Sequence, residues 1–380
     1  MNRYSATIAQ LAITRRLPWA PVTTPALVSQ VGDAVDLAPF TTLRLGGPAR
    51  RFVAVTTAQA CVDAVRAADA AAEPLLLLSG GSNLVVGDGG FDGTAVRMAS
   101  KGLHIDGEGV LHAAAGEDWD AVVAHTVSAG YGGLECLSGI PGSVGATPVQ
   151  NVGAYGVELS DLLRDVDLYD RRRGEVRTVP AAELGLGYRT SVLKGTDAAV
   201  VLEIRLALHR DGLSAPIRYP ELARALDVEP GTKVPATLAR DAVLGLRRAK
   251  GMVLDPADHD TWSAGSFFIN PVLDATQVAV VLERIRARVG PHVPVPQYPG
   301  GPGRTKLSAA WLIERAGFSR GHRGPGGRAA LSGKHTLALT NRGGACTEDL
   351  LALAREIRDG VAARFGVTLA PEPVLVSCTL

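Results

Sequence analysis

The chain has 380 residues, 46% hydrophobic and 20% charged, and its 39 basic and 38 acidic side chains leave a net charge of +1. No basic tail or stripe stands out for nucleic acid or a membrane surface, and no apolar run approaches the roughly 20 residues that span a bilayer. The length points to about two to three domains.

Residues 1–32 contain no Asp or Glu and carry Arg3, Arg15, Arg16 and three prolines. They lack a continuous apolar stretch with a cleavage site, and read as a disordered or mis-started N-terminal extension. Residues 33–55 read as extended around the turn Gly46-Gly47-Pro48. Residues 57–70 have helical character, with Val62 and Val65 on one face. Leu75–Leu78 is a short buried strand that runs into Ser79-Gly80-Gly81-Ser82-Asn83, then a strand at Leu84–Val86 and another at Thr94–Met98. Val110–Ala115 follows as a strand and Trp119–Ala129 as a helix. Val166–Tyr169 and Val176–Val179 form a hairpin, and Val200–Leu208 alternates strongly. His209–Pro220 and Gly321–Gly327 mark candidate boundaries. Between and beyond them come helices at 237–249, 274–289 and Glu348–Phe365, a surface loop at 291–303 ahead of the segment Leu307–Ala316, and strands at Leu337–Thr340 and Val374–Ser377. The pattern is α+β or α/β.

Four cysteines, Cys61, Cys136, Cys346 and Cys378, are widely spaced with no Cys-x-x-Cys pair. Free thiols in a reducing cytosol fit this usage better than structural zinc. Asp255, Asp258, His259 and Asp260 read as a polar loop, not as metal ligands.

Five segments carry potential chemistry. The stretch Gly139–Gly156 has five glycines in eighteen residues, with Gln150, Asn151 and Tyr155 among them. Small residues at such density let a ligand approach the backbone closely; an ordinary turn-rich loop is the plain alternative. The Gly80-Gly81-Ser82-Asn83 turn presents successive N–H groups, a nest for phosphate or pyrophosphate. It is neither a Rossmann fingerprint nor a Walker loop. Together the two loops suit a large, flat, phosphate-bearing cofactor. Arg189, in Leu186-Gly-Tyr188-Arg189-Thr-Ser191, offers a planar fork for a carboxylate. Ser266 sits between Gly265 and Phe267-Phe268. No Gly-x-Ser-x-Gly elbow surrounds it, so an acid role suits it better than a nucleophilic one. Glu372 is fixed between Pro371 and Pro373.

In this order, Thr41-Thr-Leu-Arg-Leu-Gly-Gly47, Gly80–Asn83, Ile140–Gly145 through Gln150–Gly156, Gly187-Tyr-Arg189, Gly265-Ser-Phe-Phe268 and Pro371-Glu372 resemble the UDP-N-acetylenolpyruvoylglucosamine reductase family, type I branch. The resemblance spans roughly residues 36–378. It implies a FAD-binding fold similar to vanillyl-alcohol-oxidase-like enzymes. FAD subdomains would occupy 33–98 and 99–210 plus 325–380, with a substrate-binding domain at 211–324. It implies FAD as cofactor, NADPH as hydride-donating cosubstrate, UDP-GlcNAc-enolpyruvate as substrate, and a monomer in the cytoplasm serving peptidoglycan precursor synthesis.

By the same resemblance, Leu45, Gly46, Gly80, Gly81, Ser82, Asn83, Gly139, Ile140, Pro141, Gly142, Gly145, Ala146, Gln150, Asn151, Gly153, Ala154 and Tyr155 are expected to bind the cofactor. Arg189 and Glu372 would stabilise the enolpyruvyl carboxylate, and Ser266 would protonate the carbanion. Tyr188, Tyr219, Lys250 and Asn270 would contact substrate, Lys250 through the UDP diphosphate. Ile269 departs from relatives that carry lysine there, which removes a cationic contact but leaves the serine role alone. An ionised glutamate beside an enolate would repel it, so Glu372 is expected to donate a hydrogen bond in that step. The alternatives are a flavin enzyme of the same fold acting on another substrate and a silent nucleotide-sugar-binding protein.

Overall fold

The computed structural model describes residues 28–380. In chain order the elements are β1 (Val28–Asp36), β2 (Pro48–Val55), α1 (Ala58–Ala70), β3 (Leu75–Leu78), β4 (Leu84–Val86), β5 (Phe91–Met98), β6 (Leu103–Ile105), β7 (Val110–Ala114), α2 (Trp119–Ser128), β8 (Gly153–Ala154), β9 (Val157–Glu158), β10 (Leu163–Asp170), β11 (Glu175–Pro180), β12 (Ala199–Ala207), α3 (Pro220–Leu226), α4 (Ala236–Ala249), β13 (Val272–Asp274), α5 (Ala275–Val289), β14 (Gln297–Pro299), β15 (Arg304–Leu307), α6 (Ala309–Ala316), β16 (Ala329–Leu331), β17 (Leu339–Asn341), α7 (Thr347–Phe365) and β18 (Val374–Val376). The expected unstructured extension lies outside the described residues up to residue 27, while Val28–Gly32 is part of β1.

Two compact units emerge. The first gathers the described residues up to Val35 with Ala49–Gly80 and Asp92–Arg248. It holds a four-stranded sheet, order β1-β2-β5-β3, and a five-stranded sheet, order β11-β10-β12-β7-β6. The apolar face of α1, with Cys61, Val62 and Val65, packs on Val53, Val96, Val200 and Leu202. A larger core joins the other face of the five-stranded sheet to Trp119, Val122 and Val123 of α2 and Ala239 and Val243 of α4. Each fully buried large aliphatic or aromatic side chain there contributes about 1.5–3 kcal/mol.

The alternation expected along β12 breaks once. Asp167 pairs with Glu203 but Leu168 pairs with Val201, so Leu202 is an extra residue. This bulge lets Val201, Ile204 and Leu206 all face the larger core while Val200 and Leu202 face the smaller one.

The second unit gathers Asp36–Pro48, Gly81–Phe91 and Ala249–Leu380. Its sheets are small: β13-β15-β14, β16-β17, and the parallel pair β18-β4. Helices α5, α6 and α7 supply its core through Val281, Ile285, Leu312, Ile313, Leu353 and Ile357. Asp88 accepts from Thr347 N (2.7 Å) and Glu348 N (3.0 Å) at the start of α7, satisfying N–H groups that have no intrahelical partner.

These boundaries differ from those expected from the sequence. Residues 325–380 share a unit with 249–324, because α7 buries its apolar stripe against α5 and α6. Residues 211–248 share one with 99–210, because α4 completes the larger core beside α2. The loop expected at 291–303 contains the edge strand β14, and α3 was not foreseen.

Candidate active site

In the first unit, β3 empties into Ser79-Gly80. A Cβ on Gly80 would lie 2.6 Å from Gly142 Cα, so the two glycine loops touch backbone to backbone. Gly139 (φ +69°) and Gly142 (φ +123°) adopt backbone that favours glycine. A Cβ on Gly145 would meet the Ala115 Cβ at 2.6 Å. The loop is anchored from beneath. Gly139 N–H donates to Asp120 Oδ1 at 2.6 Å, and Asp120 is forked by Arg240 at 2.6 and 3.0 Å. Burial pushes the Asp120 carboxyl up, but Arg240 and the Gly139 N–H outweigh it and leave it below the usual carboxylate range. Arg247 donates to Gly139 O at 3.2 Å. Burial lowers its guanidinium, and Arg189 nearby adds to the effect.

The same loop leads to Asn151 (φ +47°) and Tyr155 (φ +51°). The Asn151 amide donates to Glu158 Oε2 (2.8 Å), Ser160 Oγ (3.2 Å) and Gly187 O (3.2 Å), and accepts from Ser160 N (2.9 Å). Its side chain is therefore occupied within the protein. Ser191 Oγ adds a bond to Val149 O at 2.6 Å. The Gly187–Ser191 turn, which carries exposed Tyr188 and half-buried Arg189, is thus fastened to the glycine loop. Arg189 takes φ +54°. Tyr155 and Tyr219 meet edge to face with centroids 5.4 Å apart. Burial pushes the Tyr155 hydroxyl up to about 12.

In the second unit, Gly81 (φ +57°) has no room for a side chain, since its Cβ would fall on Phe40 O. Gly46 (φ +129°) backs onto Val86. Leu45 is buried in the core and offers a ligand no side chain. The Ser266 turn is set by Gly265 (φ +74°) and by Phe267 N, which donates to Leu337 O at 2.7 Å. Phe267 and Phe268 form a buried edge-to-face wall, centroids 5.1 Å apart. Glu372 N donates to Phe267 O at 2.8 Å and Ile269 N to Ala370 O at 3.1 Å, while Phe268 and Pro371 form an antiparallel bridge. Ser266 and Glu372 therefore flank one short backbone ladder. Val374 N donates to Asn83 O at 2.9 Å, joining the Ser82-Asn83 turn to it. Asn270 Oδ1 accepts from Ala309 N (2.9 Å) at the start of α6. Lys250 follows α4, half-buried.

Asp120, Arg240 and Arg247 were not singled out in the sequence, though Arg247 lies in the segment read for Lys250. Neither Arg240 nor Asp120 belongs to a motif; only tertiary contact reveals them.

Ser79 Oγ, Ser143 Oγ and Gln150 Oε1 are buried without a protein hydrogen-bond partner. Buried polar atoms seldom stay unpaired, and these three belong to the two glycine loops of the first unit. With a backbone cradle that a Cβ would fill, they fit the pyrophosphate and ribityl groups of FAD.

A family model described as an FAD binding domain matches residues 49–180, and one described as the C-terminal domain of UDP-N-acetylenolpyruvoylglucosamine reductase matches residues 255–376. Fold and site define an FAD-dependent oxidoreductase of α+β architecture. Among relatives named UDP-N-acetylenolpyruvoylglucosamine reductase, that of Saccharopolyspora erythraea is 68% identical over 348 residues, covering 90% of this chain and 95% of the relative. That of Nocardia farcinica is 59% identical over 382 residues, covering 99% of each. The crystal structure of the Thermus caldophilus reductase (MurB) superposes with a TM-score of 0.63 at 26% identity, over 91% of this chain and 99% of that one. The chain belongs to the UDP-N-acetylenolpyruvoylglucosamine reductase family.

Proposed function

We propose that this protein reduces UDP-GlcNAc-enolpyruvate to UDP-N-acetylmuramate for peptidoglycan synthesis, with NADPH as the hydride donor. The observation that supports this reading most is the Phe267–Glu372 backbone bond (2.8 Å), which holds Ser266 and Glu372 in one local frame. The loops around Gly80 and Gly139–Gly145 would hold FAD, which would supply hydride transfer from NADPH to the vinyl methylene carbon.

The side chains do the rest. Ser266 Oγ gives its proton to the adjacent carbon as that carbon becomes carbanionic, and regains one from solvent. A serine hydroxyl is a poor acid, so it needs a strong base and a dry wall, which Phe267 and Phe268 supply. Arg189 and Glu372 hold the enolpyruvyl carboxylate; one well-placed donor at developing charge is worth about 3–4 kcal/mol. Lys250 takes the diphosphate, and Tyr188, Tyr219 and Asn270 hold the remainder of the substrate. The protein acts as a cytoplasmic monomer.

The test is NADPH oxidation by the FAD-loaded enzyme with and without UDP-GlcNAc-enolpyruvate. Consumption that requires this substrate is expected. Consumption that ignores it and follows oxygen, or none at all, overturns the reading.

A further inference from the structure

Within the second unit, two buried polar side chains join the Thr41–Gly47 loop to the segment that leads into Ser266. Thr42 is 4% exposed. Its hydroxyl donates to Ser263 O at 2.7 Å and its N–H to Gly81 O at 3.3 Å. Ser263 Oγ in turn accepts from Gly265 N at 3.2 Å, one residue before Ser266. Asn341 runs parallel to this connection. Its Nδ2 donates to Leu43 O (3.0 Å) and Arg44 O (3.4 Å), its backbone N to Trp262 O (3.1 Å), and its Oδ1 accepts from Gly343 N (2.9 Å) and Ala345 N (3.2 Å).

We propose that Thr42, backed by Asn341, is a positioning residue that sets the Ser266 hydroxyl relative to the Thr41–Gly47 loop, in which Leu45 and Gly46 are read from the sequence as cofactor contacts. The inference rests on the readings above that Ser266 is the proton donor and that the Thr41–Gly47 loop contacts the cofactor. Hydride and proton reach neighbouring carbons of one substrate, so the distance between flavin and hydroxyl must be held as tightly as either group. A direct side-chain bond from the Thr41–Gly47 loop to Ser263 fixes the loop against this segment, and the Ser263–Gly265 bond passes that constraint to the turn. A misplacement of about 1 Å at a reacting group can lower a rate roughly 100-fold.

The test uses the FAD-loaded full chain with Thr42→Val, which keeps the shape and loses the donor, and Thr42→Ser, which keeps the donor. For Thr42→Val, FAD affinity read by flavin fluorescence is expected within about threefold of the parent and flavin reduction by NADPH within about twofold. Reoxidation by the enolpyruvyl substrate is expected to slow by roughly 10- to 100-fold, and Thr42→Ser to restore it to within about threefold. Unchanged reoxidation overturns the inference, and so does equal slowing of both half-reactions with loss of FAD, the mark of a purely structural role. Should Thr42→Val not load flavin, Asn341→Asp, which loses the bonds to Leu43 and Arg44, faces the same two criteria. Ser266→Ala measured alongside separates the failures. Intact reoxidation there sinks the proton-donor reading, whereas arrested reoxidation with a normal Thr42→Val sinks the positioning role alone.

Discussion

Each unit carries a glycine-bearing loop, a turn with a candidate catalytic side chain, and one buried asparagine that fastens the two. The fastenings differ. Asn151 binds a carboxylate, a hydroxyl and two backbone groups, and holds the turn with Arg189 beside exposed Tyr188. Asn341 binds four backbone groups through its side chain and stands behind a turn lined by Phe267 and Phe268, each 1% exposed. A guanidinium keeps its charge in water and recognises a carboxylate there, so a turn open to solvent suits it. A serine acting as an acid needs the dry environment and fixed distance that the second arrangement provides.

The largest effect that would sharpen this contrast comes from Ser266→Ala. Reoxidation of the enzyme by its substrate should fall about 10²- to 10⁴-fold, the usual worth of a general acid, while NADPH still bleaches the flavin. Stopped-flow measurement of the two half-reactions checks this, and equal slowing of both would remove the general-acid role. Next comes Asn341→Ala, expected to destabilise by about 2–4 kcal/mol because it strands buried carbonyls and N–H groups. Asn151→Ala should lie nearer about 1–3 kcal/mol, since Glu158 and Ser160 reach water more readily. Denaturant midpoints rank the pair, and the reverse order would break the comparison. Gly80→Ala places a methyl against Gly142 Cα at 2.6 Å, which should cost about 1–3 kcal/mol and leave the purified protein short of FAD, read from its visible spectrum.

The smallest effect is one of pH. Burial raises Tyr155 from 10.0 to about 12. The neutral phenol is the form the fold favours, so its contribution is complete below about pH 10 and is lost as pH rises toward 12. Tyrosinate absorbance should therefore appear later for Tyr155 than for exposed tyrosines, and the difference should vanish in Tyr155→Phe.

Much of this was legible in the chain. The helices at α1, α2, α5 and α7 show their apolar period and local caps: Thr57, Asp118 and Asp274 each accept from a backbone N–H of the first turn. Both glycine loops announce themselves by composition. What was not legible is partly too short to show a period and partly non-local. The sheet β13-β15-β14 pairs strands across a proline- and glycine-rich stretch, and α3 is a single short run begun by Pro220. The family pattern marks Leu45 and Asn151 as cofactor contacts, and the sequence does not show that the Leu45 side chain packs in the core or that the Asn151 amide makes internal bonds. No motif encodes which carbonyl an amide will find; only the folded backbone decides that.

The parallel pairing of β18 with β4 has a consequence for how the second unit comes into being. Among the described residues Leu84–Val86 pairs only with Val374–Val376, so during synthesis this strand lacks its partner while the residues between them are made. Its partner also carries Glu372 toward Ser266. The ladder beside Ser266 is therefore completed only after β18 has been made, and until then β4 presents an unpaired edge.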